Sequence, residues 1–227
     1  MALFQYPKAK HIRALKPGKF RQYRTYKRFL QWEFARVCVY CRQPDSSAPN
    51  LNFGVDHYRP KGIQRFAHLL CDYQNLFYCC GICNSRKNND WPVDEKAGPF
   101  IVNPCDHEMA RHLRFDASTG RMEPQTADGR HTEELLLLND GATVGYRLGA
   151  LKTASLLASE IASQEKMLKG VARLVRAGKL TKPEGAAEDA AINQELDVLR
   201  DTLLRTTGEL PLPPLPRHRG GLTLLSP

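Results

Sequence analysis

Two kinds of segment are missing from this sequence, and each absence argues against a class of protein. No run of about 18 apolar residues occurs, which argues against a helix that spans a membrane. The first residues, MALFQYPKAKHIR, lack both an apolar stretch of roughly 7–15 residues and a small-residue cleavage site, which argues against a secretory leader. The sequence therefore predicts a cytoplasmic protein with no membrane partner.

Acidic side chains are almost absent from the first part of the chain. Residues 1–37 carry ten lysines and arginines but one acid, Glu33, which gives this segment a net charge of +9. The other 190 residues balance, with 23 basic and 23 acidic side chains. A localised positive charge favours a polyanion, because neutralising phosphates releases condensed counterions. We expect this segment to contact nucleic acid; a solubilising basic segment is the alternative.

The same segment predicts a helix. Apolar residues recur at steps of three or four from Phe20 to Val37, as in the stripe of an amphipathic helix. Three basic residues recur on a neighbouring face and are candidates to follow a phosphate backbone: Arg21, Arg24 and Arg28. A merely solvated face is the alternative for this row, and the aromatic residues of the stripe are expected in the core.

The cysteine pattern indicates a metal site. Seven cysteines are present, and four of them form two CxxC pairs, Cys38/Cys41 and Cys80/Cys83, with 38 residues between the pairs. In a chain without a secretory leader this pattern favours metal binding over disulfides. Two such knuckles complete a shell of four thiolates, for which zinc is the preferred ion and an iron–sulfur cluster the alternative. Cys79 lacks the CxxC spacing, and Cys71 and Cys105 are expected to be unpaired and buried.

Polar residues stand at the ends of two predicted strands between the knuckles. An alternating stretch from Leu51 predicts a strand that ends at Asp56 and His57. A second short strand is predicted from Asn75 to Cys79, and a helix-forming stretch follows from Asn84 to Asn89. Asn75 begins this second strand, and Asn84 directly follows the last cysteine of the second knuckle.

The chemistry of these side chains fits phosphodiester hydrolysis with one metal ion. The Asp56 carboxylate and the Asn84 amide oxygen suit a hard cation such as Mg²⁺ or Mn²⁺. A neutral His57 can act as the base for an attacking water, while the cation stabilises charge on the phosphate and on the departing 3′ oxygen. Taken singly, Asp56 and His57 could be a structural pair and Asn84 a helix N-cap; their order inside two knuckles favours the catalytic interpretation.

The runs CVYC, VDHYRPK and NLFYCCGICNSRK together resemble the HNH, or ββα-metal, endonucleases, and in particular their zinc-containing bacterial members from restriction and phage-defence loci. The resemblance covers residues 36–92. It implies that His57 is the general base and that Asp56 and Asn84 hold the catalytic cation. It also implies that Asn75 braces the loop that carries His57. Asn84 stands where many members have a third histidine, which leaves the metal preference open.

Basic residues close to these positions are candidates for contacts with the substrate. Four basic residues near the presumed base and on the presumed metal-binding helix are candidates to grip flanking phosphates: Arg59, Lys61, Arg86 and Lys87. Generic surface charge is the alternative for each. A fainter likeness continues through the runs FIVNPCDHEMARHLRFD and TEELLLLN, where the chain resembles the nuclease subunit of Septu-type anti-phage systems, which works beside an ATPase partner.

The sequence leaves the oligomeric state open between a monomer and a homo-oligomer. A simple double-strand break by a single-site enzyme would need two cooperating copies.

The expected architecture is α+β: a small ββα-metal HNH core stapled by a four-cysteine zinc site, with an N-terminal basic helix and a C-terminal helical hairpin. The predicted segments are a basic helical arm (1–37), the nuclease core (38–92), a connecting β-hairpin and short helix capped by Thr132 (93–140), a helical hairpin (141–206) and a Pro-rich flexible tail (207–227). In the helical hairpin, two amphipathic helices, Thr143–Ala177 and Ala186–Arg205, flank a linker from Thr181 to Gly185.

The sequence thus predicts a metal-dependent endonuclease acting on DNA in anti-phage defence or restriction, with RNA left open as the substrate. Two alternatives stay beside it. One is a zinc-ribbon-like module that binds nucleic acid without cleaving it. The other is an effector subunit that cleaves only with a partner such as an ATPase.

Overall fold

The computed structural model describes residues 3–46, 52–95, 97–215 and 222–225, and it has a mixed α and β fold. That agrees with the coarse fold class expected from the sequence. Leu51, which was assigned to the first strand of the core, lies outside the described residues, as do residues 216–221 of the predicted tail.

The N-terminal segment is integrated into the core. Its elements are strand β1 (Leu15–Pro17), a 3-10 turn (Tyr23–Tyr26) and helix α1 (Lys27–Glu33), so the predicted helix from Phe20 to Val37 is too long. The helix ends at Glu33, with Phe34 as its C-cap, because Ala35 and Arg36 follow with φ of 50° and 62°. Those angles lie in the left-handed region, which an α-helix cannot continue through.

One buried carboxylate joins this segment to the rest of the molecule. Glu33 accepts hydrogen bonds from the backbone amides of Ala14 (2.6 Å) and Leu15 (3.2 Å) and from the Tyr73 hydroxyl (2.9 Å). Arg13 is also buried; its guanidinium packs against three aromatic rings and donates to the carbonyl oxygen of Leu76. Part of the basic segment therefore stabilises the core, and Arg13 is not available to a polyanion.

The centre of the molecule is two antiparallel strands followed directly by a helix. Strand β2 (Phe53–His57) pairs with β3 (Leu76–Cys80), so that Phe53 lies opposite Cys80 and His57 opposite Leu76. Helix α2 (Gly81–Lys87) begins at the next residue and contacts both strands, while α1 packs against them as well. All five residues of β3 are buried, as expected for a strand covered on both faces.

A second, smaller unit follows. It contains helix α3 (Met109–His112), the hairpin of β4 (Leu113–Asp116) and β5 (Arg121–Pro124), and helix α4 (Ala127–Leu136). The predicted hairpin is confirmed. The predicted N-cap Thr132 is wrong, because Thr126 caps α4 by accepting from the Gly129 amide. Thr132 lies inside the helix, where its buried hydroxyl donates to the Asp128 carbonyl oxygen.

Helices α5 (Gly141–Arg176) and α6 (Lys182–Thr207) form the predicted antiparallel hairpin. The predicted linker from Thr181 to Gly185 is wrong, because α6 begins at Lys182: Thr181 and Glu184 form a capping box and Pro183 lies in the first helical turn. Residues 177–181 connect the two helices. Strand β6 (Leu222–Leu224) pairs with β1, so this part of the predicted flexible tail is ordered.

None of the helices in the four described ranges combines the length and the apolar character that crossing a membrane requires.

Candidate functional site

The four cysteines of the two CxxC pairs form one cluster. Their sulfur atoms all lie within 4.8 Å of one another and their side chains are buried; the Sγ atoms of Cys41 and Cys80 are 3.8 Å apart. These four residues are positioned to bind one metal ion, and four thiolates at these separations are consistent with structural zinc. Cys79 is not part of the cluster, because neighbouring residues of a strand point to opposite faces.

Local backbone geometry forms each knuckle. The Arg42 amide donates to the Cys38 carbonyl oxygen at 3.1 Å, and Arg42 itself has a φ of 61°, which turns the chain back after Cys41. In the second knuckle Cys80 is the N-cap of α2 and its sulfur accepts from the Cys83 amide at 3.4 Å. Hydrogen bonds from the neighbouring thiols lower the pKa of Cys80 below the ordinary value of a cysteine. Cys71 and Cys105 are free and half-buried, more exposed than expected.

A cleft of about 660 Å³ lies beside this cluster. Its walls come from the 3-10 turn of the N-terminal segment, from β2 and from α2. Asp56, His57 and Asn84 all line it, so the structure brings together the three residues to which the sequence assigned chemistry. Among the described residues of the lining, Asp56 is the one acidic side chain, whereas Arg24, Lys27 and Lys61 are basic. The cleft therefore favours an anionic ligand.

His57 is held in one tautomer. Its Nε2 lies 2.9 Å from the Leu70 carbonyl oxygen, which can only accept, so Nε2 carries the proton in the neutral ring and Nδ1 is free to take one. The side chain is 5% exposed. Burial lowers the pKa of His57 below its ordinary value of 6.5, which favours the neutral form at physiological pH.

Both oxygens of Asp56 accept hydrogen bonds. Oδ2 accepts from the Tyr40 hydroxyl at 2.6 Å, and Oδ1 lies 3.2 Å from the Lys87 ammonium. The same ammonium donates to the His57 carbonyl oxygen at 2.7 Å. Lys87 is 1% exposed, so its position does not support the predicted contact with a substrate phosphate. Its neighbours give it a structural part instead: it neutralises a carboxylate that would otherwise be buried and unpaired.

Two asparagines occupy different positions around this site. Asn75 makes two hydrogen bonds to the backbone of Arg59: Oδ1 accepts from the amide at 2.8 Å and Nδ2 donates to the carbonyl oxygen at 3.1 Å. It thereby ties β3 to the loop that leaves His57. Asn84 lies inside α2 and is not its N-cap, which is Cys80. Its Nδ2 lies 3.9 Å from the position that a Cβ atom would occupy on Gly54.

Apart from the buried Lys87, the basic residues predicted to contact phosphates separate into four groups. Arg24 and Lys61 line the cleft, while Arg21 and Arg28 are exposed outside it. Arg59 lines a smaller neighbouring cavity, where it pairs loosely with Glu95 at 3.7 Å. Arg86 is engaged elsewhere: it pairs with Asp140 at 2.9 Å and donates to the Leu136 carbonyl oxygen at the end of α4.

Sequence reasoning missed two tyrosines at this site. Tyr23 was expected in the core, yet it is half-buried, lines the cleft and packs its ring edge-on against His57, with centroids 4.6 Å apart. The Lys61 ammonium hydrogen-bonds to its hydroxyl and thereby lowers the pKa of Tyr23. Tyr40 lies between the two cysteines of the first CxxC pair, and nothing in the sequence indicates a role for its hydroxyl. No local pattern could identify either residue, because each contact spans at least 16 residues of chain.

Comparisons of this chain with protein-family models, with curated proteins and with solved structures gave no match.

Proposed function

We propose that this chain is an HNH-type endonuclease that hydrolyses phosphodiester bonds in DNA. The observation that carries the proposal is that Asp56, His57 and Asn84 line one cleft directly beside a buried cluster of four cysteines. A module that only binds nucleic acid needs neither a neutral histidine with a free Nδ1 nor oxygen ligands next to it. Zinc at the four cysteines would stabilise the fold and leave the chemistry to the cleft.

The proposed reaction begins with a water molecule beside His57. Nδ1 accepts a proton from that water as its oxygen attacks the phosphorus, and the bond to the 3′ oxygen breaks. The Leu70 carbonyl oxygen keeps the proton on Nε2, so that Nδ1 remains the basic atom. Asn75 holds the loop behind the base through its two bonds to Arg59.

The side chains of Asp56 and Asn84 are the candidates to hold Mg²⁺ or Mn²⁺. One carboxylate and one amide oxygen, completed by water, match the ligand set that Mg²⁺ takes in proteins. When bound, the cation would stabilise negative charge on the phosphate and on the departing oxygen. Two of the lone-pair directions of Asp56 are used by Tyr40 and Lys87, and the carboxylate has about four such directions.

A second candidate function is that of an effector subunit whose cleavage depends on a protein partner, such as a defence-system ATPase. The helical hairpin favours it: over the 62 residues of α5 and α6 only Arg147, Val171, Gly185 and Leu196 are buried. Two helices that pack mainly against each other leave long faces open to a partner. A role in anti-phage defence or restriction is proposed for the endonuclease itself, and the effector subunit is the alternative to an enzyme that cleaves alone.

The test is incubation of zinc-loaded protein with supercoiled plasmid, with a single-stranded oligonucleotide and with RNA, each with Mg²⁺, Mn²⁺ or no added divalent ion. The proposal predicts metal-dependent nicking of DNA. Binding without cleavage under every metal, alone and with the products of neighbouring genes, would contradict the enzyme and support the binding module. Cleavage only in the presence of a neighbouring gene product would support the effector subunit.

A further inference from the structure

Tyr23 reaches the cleft from outside the two strands and helix that carry the other site residues. It lies on the 3-10 turn that precedes α1, and its ring meets the ring of His57 at an interplanar angle of 71°. Nothing in the knuckles or the ββα unit requires a tyrosine there. The N-terminal segment, fixed by Glu33, therefore contributes a wall of the site as well as positive charge.

The Tyr23 hydroxyl is polarised by Lys61. The Lys61 Nζ donates to the hydroxyl oxygen at 2.9 Å and lies 4.7 Å from the ring centroid. Because the oxygen accepts this bond, the hydroxyl proton remains available to another acceptor. The ammonium has two further N–H donors on an exposed side chain. Together the two groups present several donors and one positive charge next to His57.

We propose that Tyr23 and Lys61 form a phosphate-binding pair that holds the scissile phosphodiester against His57, an assignment that rests on the proposed nuclease function. A phosphodiester offers two non-bridging oxygens, and its charge grows on them as the water attacks. A donor aimed at such an oxygen accelerates the reaction when its bond strengthens in the transition state. Tyr23 supplies the directed donor, and Lys61 supplies the charge that polarises it.

The electrostatics of the cleft agree with this assignment. Arg24 and Lys27 follow Tyr23 on the same turn and its continuation, both exposed and both in the lining. They lie on the wall from which the phosphate would be gripped, whereas Asn84 and Ser85 of α2 are uncharged. A nucleic-acid backbone would thus meet its counter-charges on the N-terminal wall and its metal ligands on the walls formed by β2 and α2.

A neighbouring tyrosine provides a matched control. Tyr26 belongs to the same turn, but it is 2% exposed and its hydroxyl accepts from the Phe20 amide. Tyr26→Phe removes the same atom as Tyr23→Phe without touching the cleft. If the two variants fold equally well, any difference between them reports on the site rather than on stability.

The experiment compares single-turnover cleavage of oligonucleotides that carry a stereopure Rp or Sp phosphorothioate at the scissile position. Wild type should show one isomer whose slow cleavage is not rescued by thiophilic Mn²⁺ or Cd²⁺, because that sulfur faces Tyr23. Tyr23→Phe should lower the single-turnover rate constant roughly 100-fold on the normal substrate and lose this discrimination. Tyr26→Phe should behave as wild type. A Tyr23→Phe enzyme with the wild-type rate and the wild-type isomer preference would overturn the proposal.

A binding arm separates failure of this pair from failure of the nuclease proposal. Fluorescence anisotropy with a labelled duplex in Ca²⁺ measures affinity whether or not cleavage occurs. Lys61→Met should weaken binding and reduce the salt slope by about 1, and Tyr23→Phe should weaken it more than Tyr26→Phe does. If wild type cleaves nothing yet these differences appear, the phosphate pair stands and the nuclease proposal falls. Equal affinities for wild type and for the three variants would show that Tyr23 and Lys61 do not form a phosphate-binding pair.

Discussion

The hydroxyl of Tyr40 donates a 2.6 Å hydrogen bond to Oδ2 of Asp56. Tyr40 lies between the two cysteines of the first knuckle, and Asp56 is a buried residue that lines the cleft. One bond thus connects the loop that would bind the structural metal to the carboxylate proposed to hold the catalytic one. Lys87 fixes the other oxygen, so the orientation of Asp56 depends on elements from both sides of the cluster.

Tyr40→Phe should weaken binding of the divalent cation while the four cysteines keep their metal. The carboxylate loses the donor that orients it, and the buried bond contributes about 1.5–3 kcal/mol to the free energy of unfolding. Mn²⁺ titration followed by electron paramagnetic resonance, together with zinc analysis, checks both parts. Tyr78→Phe is the control, because Tyr78 makes a similar 2.9 Å bond to Asp45, whose carboxylate is not in the cleft lining. Equal Mn²⁺ affinity in the two variants would show that the Tyr40 hydroxyl does not support cation binding by Asp56.

Cys80→Ala and Cys79→Ala should differ sharply although the residues are adjacent. Cys80 belongs to the four-sulfur cluster, whereas Cys79 is buried outside it. Losing one of four thiolates should release the zinc and unfold the core, since structural zinc supplies much of the folding free energy of small domains. Cys79→Ala should retain one zinc per chain. Zinc content by mass spectrometry and the melting temperature decide; loss of zinc in Cys79→Ala with retention in Cys80→Ala would reverse the ligand assignment.

Glu33→Gln should destabilise the protein most at neutral pH. Burial alone would raise the pKa of Glu33, but hydrogen bonds from His11, the Ala14 amide and Tyr73 outweigh burial and lower it. A carboxyl with a lowered folded pKa adds stability above its ordinary pKa, here 4.5, and loses that contribution as the pH falls through the folded value.

We therefore expect a deficit of about 1.5–3 kcal/mol at pH 7 in Glu33→Gln that shrinks below pH of about 4.5. Urea denaturation across this range measures it. Glu188→Gln, at an exposed position of α6, is the control for the substitution itself. A deficit in Glu33→Gln that is constant from pH 7 to about pH 3 would contradict the linkage.

Neutralising Arg21, Arg24 and Arg28 together should weaken DNA binding and flatten its dependence on salt. All three side chains are exposed, and each phosphate contact contributes about 0.9 to the slope of log K against log salt. The control is the triple change of Lys152, Lys166 and Lys169 on α5, which removes the same charge from the helical hairpin. An identical salt dependence of DNA binding for both triple variants would show that the three arginines form a solvated face and do not contact DNA.

Short-range patterns in the sequence predicted much of the candidate site. The CxxC spacing predicted the four-sulfur cluster, and the alternation before Asp56 and His57 predicted the strand that delivers them to the cleft. The two long helices were also predicted, because their apolar stripes are regular over many turns. Such features depend on residues within a few positions of one another, which a single sequence displays directly.

Contacts between distant residues could not be predicted in this way. Strand β1 pairs with residues 222–224, at the far end of the chain, and no local pattern indicates that register. The burial of Lys87 follows from its pairing with Asp56, and the end of α1 follows from two residues in the left-handed region. In the sequence Lys87 cannot be distinguished from a surface lysine, because the residue with which it pairs, Asp56, is distant along the chain.

The role of His57 is tested most directly by comparing cleavage by His57→Ala and by wild type at matched zinc content and melting temperature. Wild type should nick supercoiled plasmid in a metal-dependent reaction. His57→Ala, with zinc bound and the fold intact, should lose at least roughly 100-fold of the rate, because general-base catalysis contributes about that much or more. Cleavage by the folded, zinc-loaded variant at the wild-type rate would show that His57 is not the general base.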